Sequence, residues 1–485
     1  MVPSVMAGLR ARTLRGFMLL AAQRVVGLLI SVVGGIMLAR LLMPEVFGVY
    51  AIIGFAVGLG VTFGDLGLGS ALVQRRDLDP AASLGVAFTA HIVLALGMGA
   101  AIVGLAPALV DWLGLAPDAV EPLRCLALLV PLSAFRMPAV VLLERNLDYL
   151  SLTVADTLDT VLFHAVTIVA ALAGMGVWSF VLGAVLARLS GLTVIWRSSR
   201  WRPVLRWRWA DLAPVLRFGT AFQGAALLTL VRDAVVPTYV AALSGVSAVG
   251  FLNWAAALAF LPLQVVSIAG KVLFPTLSQL RDDPPRFAVA TERALNRVAL
   301  ILYPAALLLL TGAPPIVRLV FGDPWVPAVP ALRLFCLTAI IGGTSNILIH
   351  ALYCLGRADF VFRLNLLWTV LLWGLALLLV PWLGFVGFAA ASACLSTTGV
   401  LTAMALRRVV PVRVFPHVRI PLVAGLASAL LFEVLATYWV HDILSLVISG
   451  CAAVSAYAGL VCRISDRVWR ADILADWQKL WAVRS

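Results

Sequence analysis

Charge is what this chain has least of: Asp, Glu, Lys and Arg make up 12% of its 485 residues, against 62% hydrophobic. A soluble domain carries about 25% charged and about 45–50% apolar residues, so this composition cannot supply a water-facing surface. Lysine is nearly missing. Lys271 and Lys479 are its occurrences, and neither ends a Gly-x-x-x-x-Gly-Lys-Ser/Thr loop, which argues against an ATP-driven pump. The six cysteines lie in apolar runs without a Cys-x-x-Cys spacing, so neither a disulfide framework nor a zinc site is expected. There is no His-Glu-x-x-His pair, no Gly-x-Ser-x-Gly elbow and no Gly-x-Gly-x-x-Gly run; Gly64-Asp-Leu-Gly67-Leu-Gly69 has the wrong spacing. These absences point to movement of a substrate rather than chemistry on it, with no catalytic residue, cofactor or metal.

What is present is a series of long apolar runs. At about 20 residues per span and about 10–15 per connection the length divides into about fourteen membrane helices, leaving nothing for a soluble catalytic domain. Breaks in the runs place spans near 16–43, 46–73, 84–110, 120–143, 150–174 and 177–196, then 212–243, 246–274, 295–321, 328–355, 360–382 and 383–406, with a last pair near 420–440 and 443–462. Arg10, Arg12 and Arg15 precede an apolar stretch too long for a cleaved signal, so the first span is expected to remain. The net charge of +13 sorts by loop. Arg75 and Arg76, Arg145, the group from Arg197 to Arg208, Lys271 to Arg297, Arg357 and Arg363, Arg407 to Arg413 and the tail fall at one end. Asp111, Asp118, Glu121, Asp323 and Asp442 occupy the other, with basic residues there only near span ends, at Arg40, Arg124 and Arg318. The positive-inside rule then makes both termini cytoplasmic and explains the basic excess without nucleic acid.

Phe47-Gly48-Val-Tyr50, Gly176-Val-Trp178, Val249-Gly250-Phe251 and Phe385-Val-Gly387-Phe388 open even-numbered spans, either as repeated tight outer turns or as ordinary interfacial ones. Their recurrence on both sides of a basic connection divides the chain into a six-helix lobe (1–197), the connection (198–211), a second six-helix lobe (212–406), two further membrane helices (407–463) and a cytoplasmic tail (464–485). Gly54, Gly58, Gly60 and Gly64 give the second span a face for close helix contact. The fold class is an all-α integral membrane protein.

The stretch Leu38-Ala-Arg-Leu-Leu-Met-Pro44-Glu-Val-Phe47-Gly48-Val-Tyr50, followed by Phe63-Gly-Asp65-Leu-Gly67-Leu-Gly-Ser-Ala-Leu-Val-Gln74, resembles the opening spans of Wzx-type polysaccharide flippases. These form the polysaccharide-transporter branch of the multidrug, oligosaccharidyl-lipid and polysaccharide (MOP) exporter superfamily. Arg217-Phe-Gly219 with Asp233, Phe274-Pro-Thr-Leu-Ser-Gln279 and Phe321-Gly-Asp-Pro-Trp325 with Leu332 extend the resemblance to about the tenth span. The last four spans match by hydropathy alone. The resemblance implies lobes in a V around a central cavity, alternating access, and an undecaprenyl-pyrophosphate-linked oligosaccharide, an O-antigen or exopolysaccharide repeat unit, as cargo across the bacterial inner membrane. A polysaccharide polymerase and a chain-length regulator are the implied protein partners. Three other readings stand beside it: a peptidoglycan-precursor (lipid II) flippase, a multidrug or organic-cation antiporter with an acidic, aromatic cavity, and a membrane enzyme of the same pathway, which the short exterior loops oppose.

A charge at mid-bilayer costs at least about 2.5–3.5 kcal/mol on insertion scales, so such residues face a cavity or one another. Arg24 lies about 12 Å into the first span, on one face with Gly27, Ser31 and Gly34. Arg188 is midway along the sixth span, Arg136 is inward on the fourth, and Arg232 adjoins Asp233 in the seventh. A pyrophosphate crossing lipid needs positive charge, and the guanidinium fork suits phosphate oxygens. Arg24, Arg188, Arg232 and Arg136 are therefore the candidate ligands, with two competing roles: Arg232 as the neutraliser of Asp233, and Arg136 as a side chain reaching the cytoplasmic interface. The fifth span stacks Thr153, Asp156, Thr160, His164 and Thr167 on one helical face, with Asp159 beside them. That stripe, with Asp233, reads as cavity lining or an ion-coupling path, or as a static polar seam. Asp65 reads as a helix-end residue, and His91, His350 and Glu433 stand isolated.

Overall fold

A computed structural model describes residues 23–74, 80–146, 148–264 and 277–464. Arg10, Arg12, Arg15, Arg75, Arg76, Lys271 and the tail beyond Ile464 lie outside them. Among the described residues thirteen helices are long and apolar enough to cross a membrane, and the apolar helix Val246–Ala259 occupies the position of the expected eighth span. No β-strand occurs among the described residues. Hydrocarbon offers the backbone no hydrogen bonds, so each span must satisfy its own, and the α-helix is the way a single segment does so.

In chain order the helices used below are α1 (Gln23–Leu41), α2 (Pro44–Asp65), α3 (Leu68–Gln74), α4 (Pro80–Trp112), α5 (Val120–Leu126), α6 (Leu129–Arg145), α7 (Tyr149–Leu172), α8 (Val177–Ser199), α9 (Trp209–Asp233), α10 (Ala241–Ser244) and α11 (Val246–Ala259). There follow α12 (Pro284–Ile316), α13 (Val329–Cys354), α14 (Ala358–Leu383), α15 (Val386–Ser396), α16 (Gly399–Arg407), α17 (Val414–Tyr438) and α18 (Ile443–Ile464). Local chemistry sets the ends. Pro44 opens α2 with its fixed φ, Asp148 caps α7 by accepting from the Ser151 N–H at 3.2 Å, and Arg200 closes α8 at φ 52°. Asp442, in the loop ahead of α18, accepts from the backbone N–H and the hydroxyl of Ser445 at 2.8 and 2.6 Å, which holds its carboxyl below the usual range.

Several expected spans are not single helices: the second divides between α2 and α3, where Leu66 and Gly67 take positive φ, and the ninth ends in a π-helical turn at Val317–Phe321. The fourth divides between α5 and α6. The twelfth divides between α15 and α16, where Ser396, Thr397 and Thr398 each donate to the carbonyl three residues back at 2.7 Å and compete with the helical ladder. The seventh runs from α9 through a π-helical turn at Val235–Val240, whose Pro237 removes a donor, into α10.

The chain divides into two compact units, 1–253 with 365–388, and 254–364 with 389–485. The first packs Ile52, Ile53 and Val57 of α2 against Phe88, Ile102, Leu123 and Val130. The second packs Leu295, Val298 and Leu302 of α12 against Ile347, Leu348 and Val418. The glycines of the repeated turns have different uses. Gly176 takes φ 54° at the N-terminus of α8, a turn glycine as expected. Gly48 and Gly250 are helical instead, and a Cβ at either would strike the other helix's backbone: Val246 carbonyl for Gly48, Pro44 carbonyl for Gly250. Of the small-residue face on α2, Gly60 and Gly64 meet neighbours, whereas Gly54 and Gly58 have open space. Gly250→Ala is accordingly expected to destabilise the detergent-solubilised protein by about 1–3 kcal/mol through overpacking, while Gly58→Ala leaves thermal unfolding unchanged. Equal unfolding curves for the two variants would contradict this backbone crossing.

Candidate functional site

Three helices of the first unit bring charge to one depth. Arg136 stands nine residues before the end of α6, Asp159 ten residues after the start of α7, and Arg188 eleven residues before the end of α8. At the helical rise all three lie about 14–17 Å from the basic-loop end, near the middle of a hydrocarbon layer about 30 Å thick. Arg136 Nη1 donates to Asp159 Oδ2 at 3.0 Å, and its Nη2 donates to Asp156 Oδ1. Arg188 Nη1 stands 3.6 Å from the same Asp159 oxygen. The Arg136 side chain is 17% exposed and that of Arg188 40%. Arg136 is thus consumed by two carboxylates, while Arg188 shares one at long range and keeps donors to spare.

Both arginines line a cavity of about 620 Å³, together with Asp65, His91, Glu144 and Gln223. Asp65 ends α2 and Glu144 is next to last in α6, so carboxylates stand toward the basic-loop end and guanidinium groups at depth. The cavity is charge-ordered rather than uniformly basic. Gln223 of α9 is buried and donates to the Thr62 carbonyl at 2.9 Å, which ties the cavity wall to α2.

The polar stripe of α7 is seated in glycine notches. A Cβ at Gly191 of α8 would strike the Asp159 carboxylate, one at Gly183 the Thr167 hydroxyl, and one at Gly34 of α1 the His164 ring. Small residues thereby let helices close around polar groups, as is usual where polar side chains pack inside a membrane. Thr160 donates to the Asp156 carbonyl of its own helix at 2.8 Å, and Thr167 to that of Phe163. His164 lies apart from the arginine cluster, with Nδ1 buried and without a hydrogen-bond partner.

Of the sequence candidates, Arg136, Arg188, Asp156 and Asp159 come together; the others do not join them. Arg232 Nε donates to Asp233 Oδ1 at 3.0 Å at the end of α9, and neither residue lines the cavity. Arg24 is exposed on α1 and makes no ion pair among the described residues. Arg136 reaches carboxylates rather than the cytoplasmic interface. Asp65 does not cap α2, because the backbone N–H of Leu66, in the left-handed region, closes that end on the Thr62 carbonyl. Of its cavity neighbours the sequence marks His91 alone, as an isolated histidine in an apolar run; Glu144 and Gln223 carry no such signal.

The fold is that of the MOP-superfamily transporters. It matches lipid II flippase MurJ in an inward closed conformation with a TM-score of 0.76 over 92% of this chain and 98% of that one, at 14% identity. An inward-facing multidrug resistance MATE family transporter of the MOP superfamily matches with a TM-score of 0.61 over 80% of this chain and 99% of that one, at 17% identity. Residues 37–330 match the family model described as polysaccharide biosynthesis protein, and the chain belongs to that family. The succinoglycan biosynthesis transport protein ExoT of Rhizobium meliloti (strain 1021) is 30% identical over 67% of this chain and 66% of its own length. The lipopolysaccharide biosynthesis protein WzxC of Escherichia coli (strain K12) is 24% identical over 75% and 74%. The resemblance of the opening spans to Wzx-type flippases is borne out.

Proposed function

We propose that this chain is a flippase that carries undecaprenyl-pyrophosphate-linked oligosaccharide repeat units from the cytoplasmic to the exterior leaflet of the bacterial inner membrane for surface polysaccharide assembly. The basic-loop end faces the cytoplasm, and the cargo is handed to a polysaccharide polymerase outside. The two lobes, 1–197 and 212–406, alternate access. In this reading the crossing of Gly48 and Gly250, together with that of Gly67 and Gly219, is where their helices meet backbone to backbone. The observation that carries the proposal is Arg188, a guanidinium at mid-bilayer depth, partly exposed and incompletely paired, on the wall of a cavity in a polysaccharide-biosynthesis family member. Such a group is retained in hydrocarbon when it serves an anion or a hydrated path. The pyrophosphate would sit against Arg188, the sugars in the hydrated space and the polyprenyl tail in lipid. Membrane potential or an ion gradient would drive the cycle.

Fluorescently labelled undecaprenyl-pyrophosphate oligosaccharide in proteoliposomes tests this reading. Protein-dependent loss of quencher-protected signal is expected for the oligosaccharide-linked lipid and not for lipid II. Faster movement of lipid II would transfer the assignment to a peptidoglycan-precursor flippase, and movement of neither lipid would end the proposal.

A further inference from the structure

His91 is the odd residue of the cavity. It is 2% exposed, both ring nitrogens are buried without a hydrogen-bond partner, and Nδ1 stands 3.8 Å from Asp65 Oδ1 on the facing helix. An unmet buried polar group costs about 1–3 kcal/mol, and nothing in the apolar packing of α4 against Ile52, Ile53 and Val57 requires an imidazole there. Asp65 is equally out of place structurally. It ends α2 where the helix dipole opposes a negative charge, and it caps nothing. Each residue lacks a reason of its own, and each supplies what the other needs once a proton is added.

We propose that Asp65 and His91 form a one-proton site in the cavity, whose occupancy sets how strongly an anionic head group is held at the Arg136–Arg188 end. Empty, the pair is a neutral imidazole beside a carboxylate and carries one negative charge. A proton taken from cavity water by the Asp65 carboxylate, which is 33% exposed, and passed to Nδ1 of His91 gives an imidazolium–carboxylate pair of zero charge, and its return by the same route restores the first state. No other bond changes. The titratable or charged groups that share the cavity are Arg136 and Glu144 of α6 and Arg188 of α8; α3 and α9 contribute Gly69 and Gln223, which do not titrate. Arg145 of α6 is turned to the Leu72 carbonyl. The carboxylates of α7, Asp156 and Asp159, are engaged by Arg136. Imidazole changes charge close to neutral pH, where small changes in its surroundings decide occupancy. The inference takes its ligand from the transport reading above, while the proton site itself stands on geometry.

The test uses full-length protein in nanodiscs and a short-chain polyprenyl-pyrophosphoryl sugar, a diester whose own charge is constant across neutral pH. Calorimetry from mildly acidic to mildly alkaline pH is expected to show wild-type affinity rising as pH falls, by at most about tenfold per pH unit for one linked proton. Asp65→Asn fixes the pair near zero charge and should bind tightly without pH dependence. His91→Gln leaves the carboxylate unpaired and should bind weakly, again without pH dependence. A pH slope retained in both variants, or a flat wild type, overturns the proposal. Should the wild type ignore the probe at every pH, the transport reading fails instead. The proton site is then judged by ¹⁵N histidine NMR, which should show one buried imidazole titrating, absent in His91→Gln and displaced to more acidic pH, below the calorimetric range, in Asp65→Asn. No such titration overturns the site.

Discussion

Arg136→Ala is expected to remove most of the folded protein from the membrane. The substitution leaves Asp156 and Asp159 in the lipid-spanning region with only the distant Arg188 beside them. Breaking a buried ion pair on one side costs about 3–5 kcal/mol because the surviving charge is uncompensated, a large share of a net stability of about 5–15 kcal/mol. Membrane yield and thermal unfolding in mild detergent should both collapse, and Arg136→Lys should recover only part, since one ammonium cannot span two carboxylates as the fork does. Neutralising the partners as well, in Arg136→Met with Asp156→Asn and Asp159→Asn, should restore yield. A stable Arg136→Ala protein would show that the triad is not a structural unit.

Arg188→Ala is expected to do the opposite: keep the fold and lose transport. Asp159 retains Arg136 at 3.0 Å, and Arg188 is 40% exposed with one ion pair at 3.6 Å, so its removal strands no buried charge. A charged hydrogen bond to phosphate is worth about 1.5–3 kcal/mol, which corresponds to about a ten- to hundredfold loss of flipping. Arg188→Lys should retain an intermediate rate. Proteoliposome flipping at matched protein levels measures it. Normal rates in the alanine variant would remove the guanidinium from the mechanism.

The contrast between these two arginines was only partly legible in the sequence. Hydropathy located the spans because a run of about 20 apolar residues has few other fates, and loop arginines oriented them. The depth of Arg136 and Arg188 was legible as well, since each lies nine to eleven residues from a basic-loop end. Which arginine is consumed was not, because that depends on how α6 and α8 rotate about their axes to face α7, and apolar helices carry little periodic signal to fix rotation. The pairing of Asp65 with His91 was hidden for a related reason. It comes from the close packing of α2 and α4, eased by Gly64 against Ala95. The breaks at Ser396 to Thr398 and at Pro237 are too short to end an apolar run, so span-length hydropathy passes over them.

The glycine notches bear on how the chain enters the bilayer during synthesis. Alone, α7 would carry Asp156, Asp159 and His164 into lipid, and α8 would follow with Arg188 at its centre. Each ion adds about 2.5–3.5 kcal/mol to translocon insertion at mid-helix. Threaded together as a hairpin behind an Arg136 already in place, they cancel one another's charge, and Gly183 and Gly191 let the two close without a gap. The α6-to-α8 segment is therefore expected to leave the insertion machinery as a group rather than helix by helix.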